Sequence, residues 1–129
     1  MNPPLVLVVD DDPDILDAIC DILEVEGYRV SRARHGVEAL ARVDAERPAV
    51  ILLDLMMPVM DGVAFARALR QRPADAGVPI LVISADGNPQ RASTVGASGY
   101  LAKPFDIDVL LRSIAAVTAP HAGSPSVGP

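Results

Sequence analysis

At 129 residues, 50% hydrophobic but only 3% aromatic and 22% charged, the chain is sized for one soluble domain cored by aliphatic side chains and alanine, which excludes a two-domain enzyme. Seventeen Asp and Glu against eleven Lys and Arg leave a formal net charge of −6, a balance that phosphate backbones repel and that argues against direct nucleic-acid binding. No apolar run approaches the roughly 18 residues of a membrane span, Met1-Asn2-Pro3-Pro4 lacks the basic start of a secretory signal, and the lone Cys20 cannot build an internal disulfide, so the expected setting is the cytoplasm.

Leu5 to Val9 is a short apolar run with three valines, the pattern of a strand buried on both faces. Asp10-Asp11-Asp12-Pro13 stops it. Asp before Pro is a helix cap and first-turn pair, and Ile15, Ala18, Ile19, Ile22 and Leu23 follow at the spacing of one inward helix face ending at Gly27. Tyr28 to Ala33 predicts a weaker second strand, and residues 36–46 a helix with Val37, Leu40, Ala41 and Val43 inward. Ala49 to Leu53 is the most hydrophobic strand and ends at Asp54. A loop through Pro58 leads to Asp61-Gly62 and a helix to about Arg70 that carries Phe65, Ala66 and Leu69. Pro79 to Ile83 is the fourth strand, ending at Ser84. Residues 87–97, with two glycines, Pro89 and a thin apolar stripe, predict a short or mobile helix. Gly99 to Ala102 is the fifth strand, ending at Lys103-Pro104, and Asp106 caps a final helix with Ile107, Leu110, Leu111, Ile114 and Ala115 inward. From Ala119 the Pro, Gly and Ser content predicts a flexible tail. The expected organisation is one domain over residues 1–118 and a tail over residues 119–129.

Five strands alternating with helices predict an α/β fold with a parallel sheet and helices on both faces. Four of these strands end on a charged or reactive residue: Asp10 with Asp11, Asp54, Ser84 and Lys103. In a parallel sheet all carboxyl ends lie on one edge, where open α/β sheets bind ligands. Three carboxylates gathered there repel one another, at about 4 kcal/mol per pair for a 4 Å separation and an effective dielectric near 20. Lys103, the single lysine among eleven cations, leaves the cluster at a formal −2, the charge of one divalent cation. An all-oxygen donor set suits Mg²⁺. A metal, a lysine and a hydroxyl around one aspartate is a phosphoryl-transfer constellation, with Asp54 as nucleophile.

The segments Leu7-Val8-Val9-Asp10-Asp11-Asp12, Leu52-Leu53-Asp54-Leu55-Met56-Met57-Pro58-Val59-Met60-Asp61-Gly62, Val82-Ile83-Ser84-Ala85 and Gly99-Tyr100-Leu101-Ala102-Lys103-Pro104-Phe105 resemble the receiver domain of two-component response regulators. The resemblance spans residues 5–118. It implies a flavodoxin-like, doubly wound, five-stranded parallel sheet of order 2-1-3-4-5 with about five helices. It implies that Asp54 accepts a phosphoryl group from the phosphohistidine of a histidine kinase or histidine phosphotransfer protein. Asp10 and Asp11, with Asp54 and the backbone carbonyl of Met56, would hold Mg²⁺, with Mn²⁺ as the alternative ion. Ser84 corresponds to the switch hydroxyl and Lys103 to the phosphate-pairing lysine, ahead of a cis bond to Pro104. Tyr100 resembles the aromatic that turns inward after phosphorylation, and Met56 and Asp86 stand at positions that tune hydrolysis of the acyl phosphate. The chain is then a phosphoacceptor and not an enzyme in the usual sense, its chemistry limited to phosphorylation from a donor and self-dephosphorylation. It would act as a monomer or weak dimer, without nucleic-acid or membrane contact, by binding a protein target or relaying the phosphoryl group. The stretch from Ser84 to Tyr100 is shorter than the family usually has, which departs from the family at its output face.

Three other readings compete. A small phosphohydrolase of the haloacid dehalogenase type shares the aspartate, Mg²⁺, hydroxyl and lysine, but has a second aspartate where Met56 stands. A flavin carrier of the same fold is disfavoured by acidic strand ends and scarce aromatics, and a receiver-like interaction module would work without phosphorylation. Simpler roles cover the remaining residues. Asp12 is a helix cap, Cys20 a small packing residue, and His35 and His121 lack metal-ligand spacing. No Gly-rich phosphate loop is present.

Overall fold

Apolar residues fill both parities of the runs Leu5–Val9, Val50–Leu53 and Ile80–Ile83, so these strands must be covered on both sides. The computed structural model, which describes residues 3–55, 62–75, 77–84, 90, 96–103 and 105–118, answers this with helices on both faces of one sheet. In chain order the elements are β1 (Leu5–Val9), α1 (Pro13–Val25), β2 (Arg29–Ala33), α2 (Gly36–Ala45), β3 (Val50–Asp54), α3 (Gly62–Arg70), β4 (Ile80–Ser84), β5 (Gly99–Ala102) and α4 (Ile107–Thr118). All neighbouring strands run parallel in the order β2-β1-β3-β4-β5. Val8 pairs with Leu52, Leu52 with Leu81, and Leu81 with Gly99.

Alternation along the strands divides the interior into two cores. Leu7, Val9, Ile51, Leu53, Ile80 and Val82 pack with Ala39 and Val43 of α2 and Phe65, Ala66 and Leu69 of α3. Val6, Val8, Val50, Leu52, Leu81 and Ile83 pack with Leu16, Ile19, Cys20 and Leu23 of α1 and Leu110 and Ile114 of α4. The predicted inner face of α3 is buried as expected.

The other helix faces are rotated from their predicted positions. In α1 the buried row is Leu16, Ile19, Cys20 and Leu23, while Ala18 is exposed. In α2 it is Gly36, Ala39 and Val43, while Val37 and Ala41 face solvent. In α4 it is Leu110 and Ile114, with Ile107 and Ala115 exposed. Each helix carries more apolar residues than one face needs, so periodicity alone left the register open and the fit against the sheet chose it. Cys20 is a packing residue, and burial pushes its thiol up to about 11 against the opposing charge of Arg32.

Helix ends follow local chemistry. Asp12 caps α1 by accepting from the N–H groups of Asp14 and Ile15, with Pro13 in the first turn. Past the other end, Gly27 takes φ 95° and Tyr28 N–H bonds back to Leu23 O at 3.0 Å, a turn that a residue with a Cβ enters at a cost. His35, which lacked an evident role in the sequence, caps α2: its Nδ1 accepts from Glu38 N–H at 3.2 Å. Replacing His35 by alanine is expected to cost about 1 kcal/mol in urea unfolding, and replacing it by asparagine to cost much less, since asparagine restores a capping oxygen.

The predicted helix over 87–97 falls almost wholly outside the described residues, as do Asp61 and the tail over 119–129. Four helices stand among the described residues. None is long and apolar enough to cross a membrane.

Candidate phosphoryl-transfer site

The sheet order gives the site its location. β1 and β3 are adjacent at the centre, so their carboxyl ends bring Asp10 and Asp54 side by side from positions 44 residues apart in sequence. Asp10 continues the β1 ladder, donating its N–H to Ala33 O at 3.1 Å, and Lys103 continues the β5 ladder, donating to Ser84 O at 2.9 Å. By alternation Asp10, Asp54 and Lys103 share the parity of Val8, Leu52 and Leu101, on the α1 and α4 side. Ser84 and Tyr100 share the opposite parity, that of Val82, on the α2 and α3 side.

Asp10 and Asp54 are almost fully buried, at 1% and 5% exposure, and Asp11 is exposed. One carboxylate oxygen from each of the three lies within 4.8 Å of the others. Two donors orient Asp10: the N–H of Asp12 meets Oδ1 at 2.9 Å and Lys103 Nζ meets Oδ2 at 2.9 Å. The same Nζ reaches Asp54 Oδ2 at 3.5 Å. Partial burial of Lys103, which alone would lower an ammonium pKa, is outweighed by the hydrogen bond and charge of Asp10 and then by Asp54. Its pKa is therefore held above the ordinary value, and the lysine stays charged.

The donor set fits a hard divalent cation. It consists of carboxylate oxygens only, carries a formal −2 after Lys103 is counted, and opens to water at Asp11, matching an ion that keeps part of its hydration. Asp10, Asp11 and Asp54 are the described residues that would hold it.

Among the expected site residues, Asp10, Asp11, Asp54 and Lys103 are brought together, and Ser84 ends β4 fully buried next to Ile83, the register partner of Asp54. Tyr100 is half-buried against the α2 and α3 core, and its hydroxyl is buried with no hydrogen-bond partner among the described residues. Met56, Asp86 and Pro104 lie outside the described residues. The backbone N–H of Asp12 was missed as a support for Asp10. An Asp two residues before a helix cap, where an aspartate turn forms readily, was the available signal.

Comparison with known proteins agrees with this geometry. The response regulator receiver domain family matches residues 6–115. The chain is 37% identical over 117 residues to the DNA-binding dual master transcriptional regulator RpaA of Synechocystis, covering 88% of this chain and 48% of that protein. It is 40% identical over 120 residues to the transcriptional regulatory protein PrrA of Mycobacterium leprae, covering 91% and 51%. The chain thus spans about half the length of the curated relatives it matches. Among solved structures it resembles the chemotaxis protein CheY4 of Vibrio cholerae, with a TM-score of 0.84 and 37% identity over 89% of this chain and 98% of that one. It also resembles the signal receiver domain of a signal transduction histidine kinase from Syntrophus aciditrophicus, with a TM-score of 0.83 and 27% identity over 98% of both chains. From β1 to α4, in sequence and in fold, this chain belongs to the family of response regulator receiver domains of two-component signalling.

Proposed function

We propose that this receiver accepts a phosphoryl group on Asp54 from the phosphohistidine of a histidine kinase or phosphotransfer protein. The observation that carries the reading is the contact of Lys103 Nζ with both Asp10 and Asp54, beside a third carboxylate at Asp11. An Asp54 carboxylate oxygen attacks phosphorus, the new O–P bond forms as the donor's N–P bond breaks, and the leaving imidazole keeps the electron pair. Lys103 places positive charge where the transferring oxygens gather. Ser84, at the end of the neighbouring strand, is assigned the hydroxyl that bonds one of those oxygens. Mg²⁺ or Mn²⁺, held by Asp10, Asp11 and Asp54 with the carbonyl of Met56, supplies neutralising charge to the phosphoryl group when bound.

Switching then rests on Ser84 and Tyr100, which share the α2 and α3 side. A buried hydroxyl without a partner costs about 1–3 kcal/mol, so the Tyr100 ring has a reason to move once a phosphoryl oxygen or a reoriented Ser84 offers a bond. Met56 and Asp86 are assigned the tuning of hydrolysis. The receiver is taken to occupy residues 1–118 with a tail over 119–129, to work in the cytoplasm, and to act as a monomer or weak dimer. Its net acidity supports an output through protein binding or relay over direct contact with nucleic acid.

Incubation with a small acyl phosphate and Mg²⁺ tests the assignment. Intact-mass measurement should find one phosphoryl adduct, peptide mapping should locate it on Asp54, and a chelator should suppress it. An adduct on another residue, or none, overturns the reading.

A further inference from the structure

Arg70, the last residue of α3, does more than end a helix. Its Nη1 donates to Val78 O at 2.9 Å and its Nη2 to Gly96 O at 3.3 Å. Val78 lies two residues before β4 and Gly96 three residues before β5. One planar guanidinium therefore gathers backbone carbonyls from two loops that are 18 residues apart in sequence, a task suited to a rigid fork of donors. Gly96 has φ 69°, a left-handed conformation that aligns with this contact, and Arg70 Nε lies 3.9 Å from where a Cβ would sit.

We propose that Arg70 is a positioning residue for the phosphoryl site: it clamps the entrances of β4 and β5 at the sheet edge opposite the site and fixes the lengthwise placement of the strands that carry Ser84, Tyr100 and Lys103.

The need for a clamp follows from the sheet. β5 is an edge strand of four residues with β4 as its single neighbour in the sheet. Its ladder is extended at one end by Ser98 N–H to Ile80 O at 2.8 Å and at the other by Lys103 N–H to Ser84 O. Lys103 must span from β5 to Asp10 on β1, three inter-strand steps of roughly 4.8 Å each. An extended lysine side chain, an aspartate and one hydrogen bond together span less than three such steps of a flat sheet, so the contact needs the strand ends to converge and a small slip of β5 along its axis loses the 2.9 Å contact with Asp10. The carbonyl of Val78 ties the clamp to the α2 and α3 core, because Val78 is itself buried there. α3 thus acts on Lys103 from about one strand length away, without touching the site.

The test uses R70M and R70K in the full chain, without and with a phosphodonor. In hydrogen exchange R70M should lose protection at least tenfold at the amides of residues 99–103, while amides of β1 and β3 change little. R70K, whose ammonium can still donate to these carbonyls, should recover part of the loss. Unchanged exchange in β5, or equal acceleration in β1, β3 and β5, overturns the proposal, the second outcome meaning a general loss of stability. With acetyl phosphate, R70M should need at least fivefold more donor for half-saturation yet reach one adduct per chain at saturation, and R70K should partly restore the donor requirement. An unaltered donor requirement in R70M would also overturn it. The uptake arm rests on Asp54 being the acceptor, whereas exchange does not, so absence of phosphorylation in the wild-type chain would count against that reading and leave the clamp to be decided by exchange.

Discussion

Asp54→Asn should abolish the phosphoryl adduct and, in the same preparation, raise the stability of the metal-free fold by about 1 kcal/mol. The loss follows from chemistry: a carboxamide oxygen is too weak a nucleophile to displace imidazole or a carboxylate from phosphorus. The gain follows from the crowding of three carboxylates within 4.8 Å. Asn keeps the size of the side chain and removes one charge from a cluster with two negative charges in excess. The attraction to Lys103 that is lost is the longer of the two lysine contacts, 3.5 Å against 2.9 Å to Asp10, and relief of repulsion from two carboxylates outweighs that contact. Urea unfolding in chelator measures the gain, and it should shrink when Mg²⁺ is added, because the wild-type cluster gains more from the ion than the variant does. A variant less stable than wild type in chelator would mean that Asp54 is held by contacts worth more than the repulsion it suffers.

Lys103→Met should have the opposite sign. Met keeps much of the stem and deletes the ammonium, leaving Asp10, almost fully buried, without its one cationic partner among the described residues. Breaking a buried pair from one side costs about 3–5 kcal/mol, and the 16% exposure of the Lys103 side chain reduces this to about 2–3 kcal/mol. The lysine pKa is raised in the fold. Its contribution is therefore complete below the unfolded value of about 10.4 and declines as pH rises through the folded value. Wild-type stability should lose this contribution only under alkaline conditions, and the gap between wild type and Lys103→Met should close there. Saturating Mg²⁺ should narrow the gap at neutral pH. Denaturant melts from neutral to alkaline pH, with and without the ion, would separate these effects, and a gap that widened above the lysine pKa would contradict the pairing.

Much of the fold was legible because strand chemistry is local. Runs such as Val50–Leu53 and Ile80–Ile83 can only be strands buried on both faces, and the polar residue that ends each one marks the edge where function gathers. Asp10, Asp11, Asp54 and Lys103 were readable for the same reason: a parallel sheet brings strand ends together whatever their separation in sequence. Helix faces were harder to read. Ala18, Val37, Ala41, Ile107 and Ala115 fit an apolar period yet lie in solvent, because helix rotation is set by contact with the sheet. His35 and Arg70 were unreadable for another reason. Both act by bonding backbone groups, and a sequence does not announce which N–H or carbonyl lacks a partner until the chain is folded.

The division of the interior by strand parity has a consequence for how such a molecule can change. The carboxylates and lysine proposed to handle phosphorus lie toward one helix layer, and Ser84 and Tyr100, proposed to bond a phosphoryl oxygen and report the result, lie toward the other, with a single sheet as the wall between them. A strand repeats every two residues, so no side-chain exchange carries a function through that wall; only adding or deleting a residue within a strand can do so. Substitution in one layer therefore reaches the other only by moving the strands themselves, as proposed for Arg70.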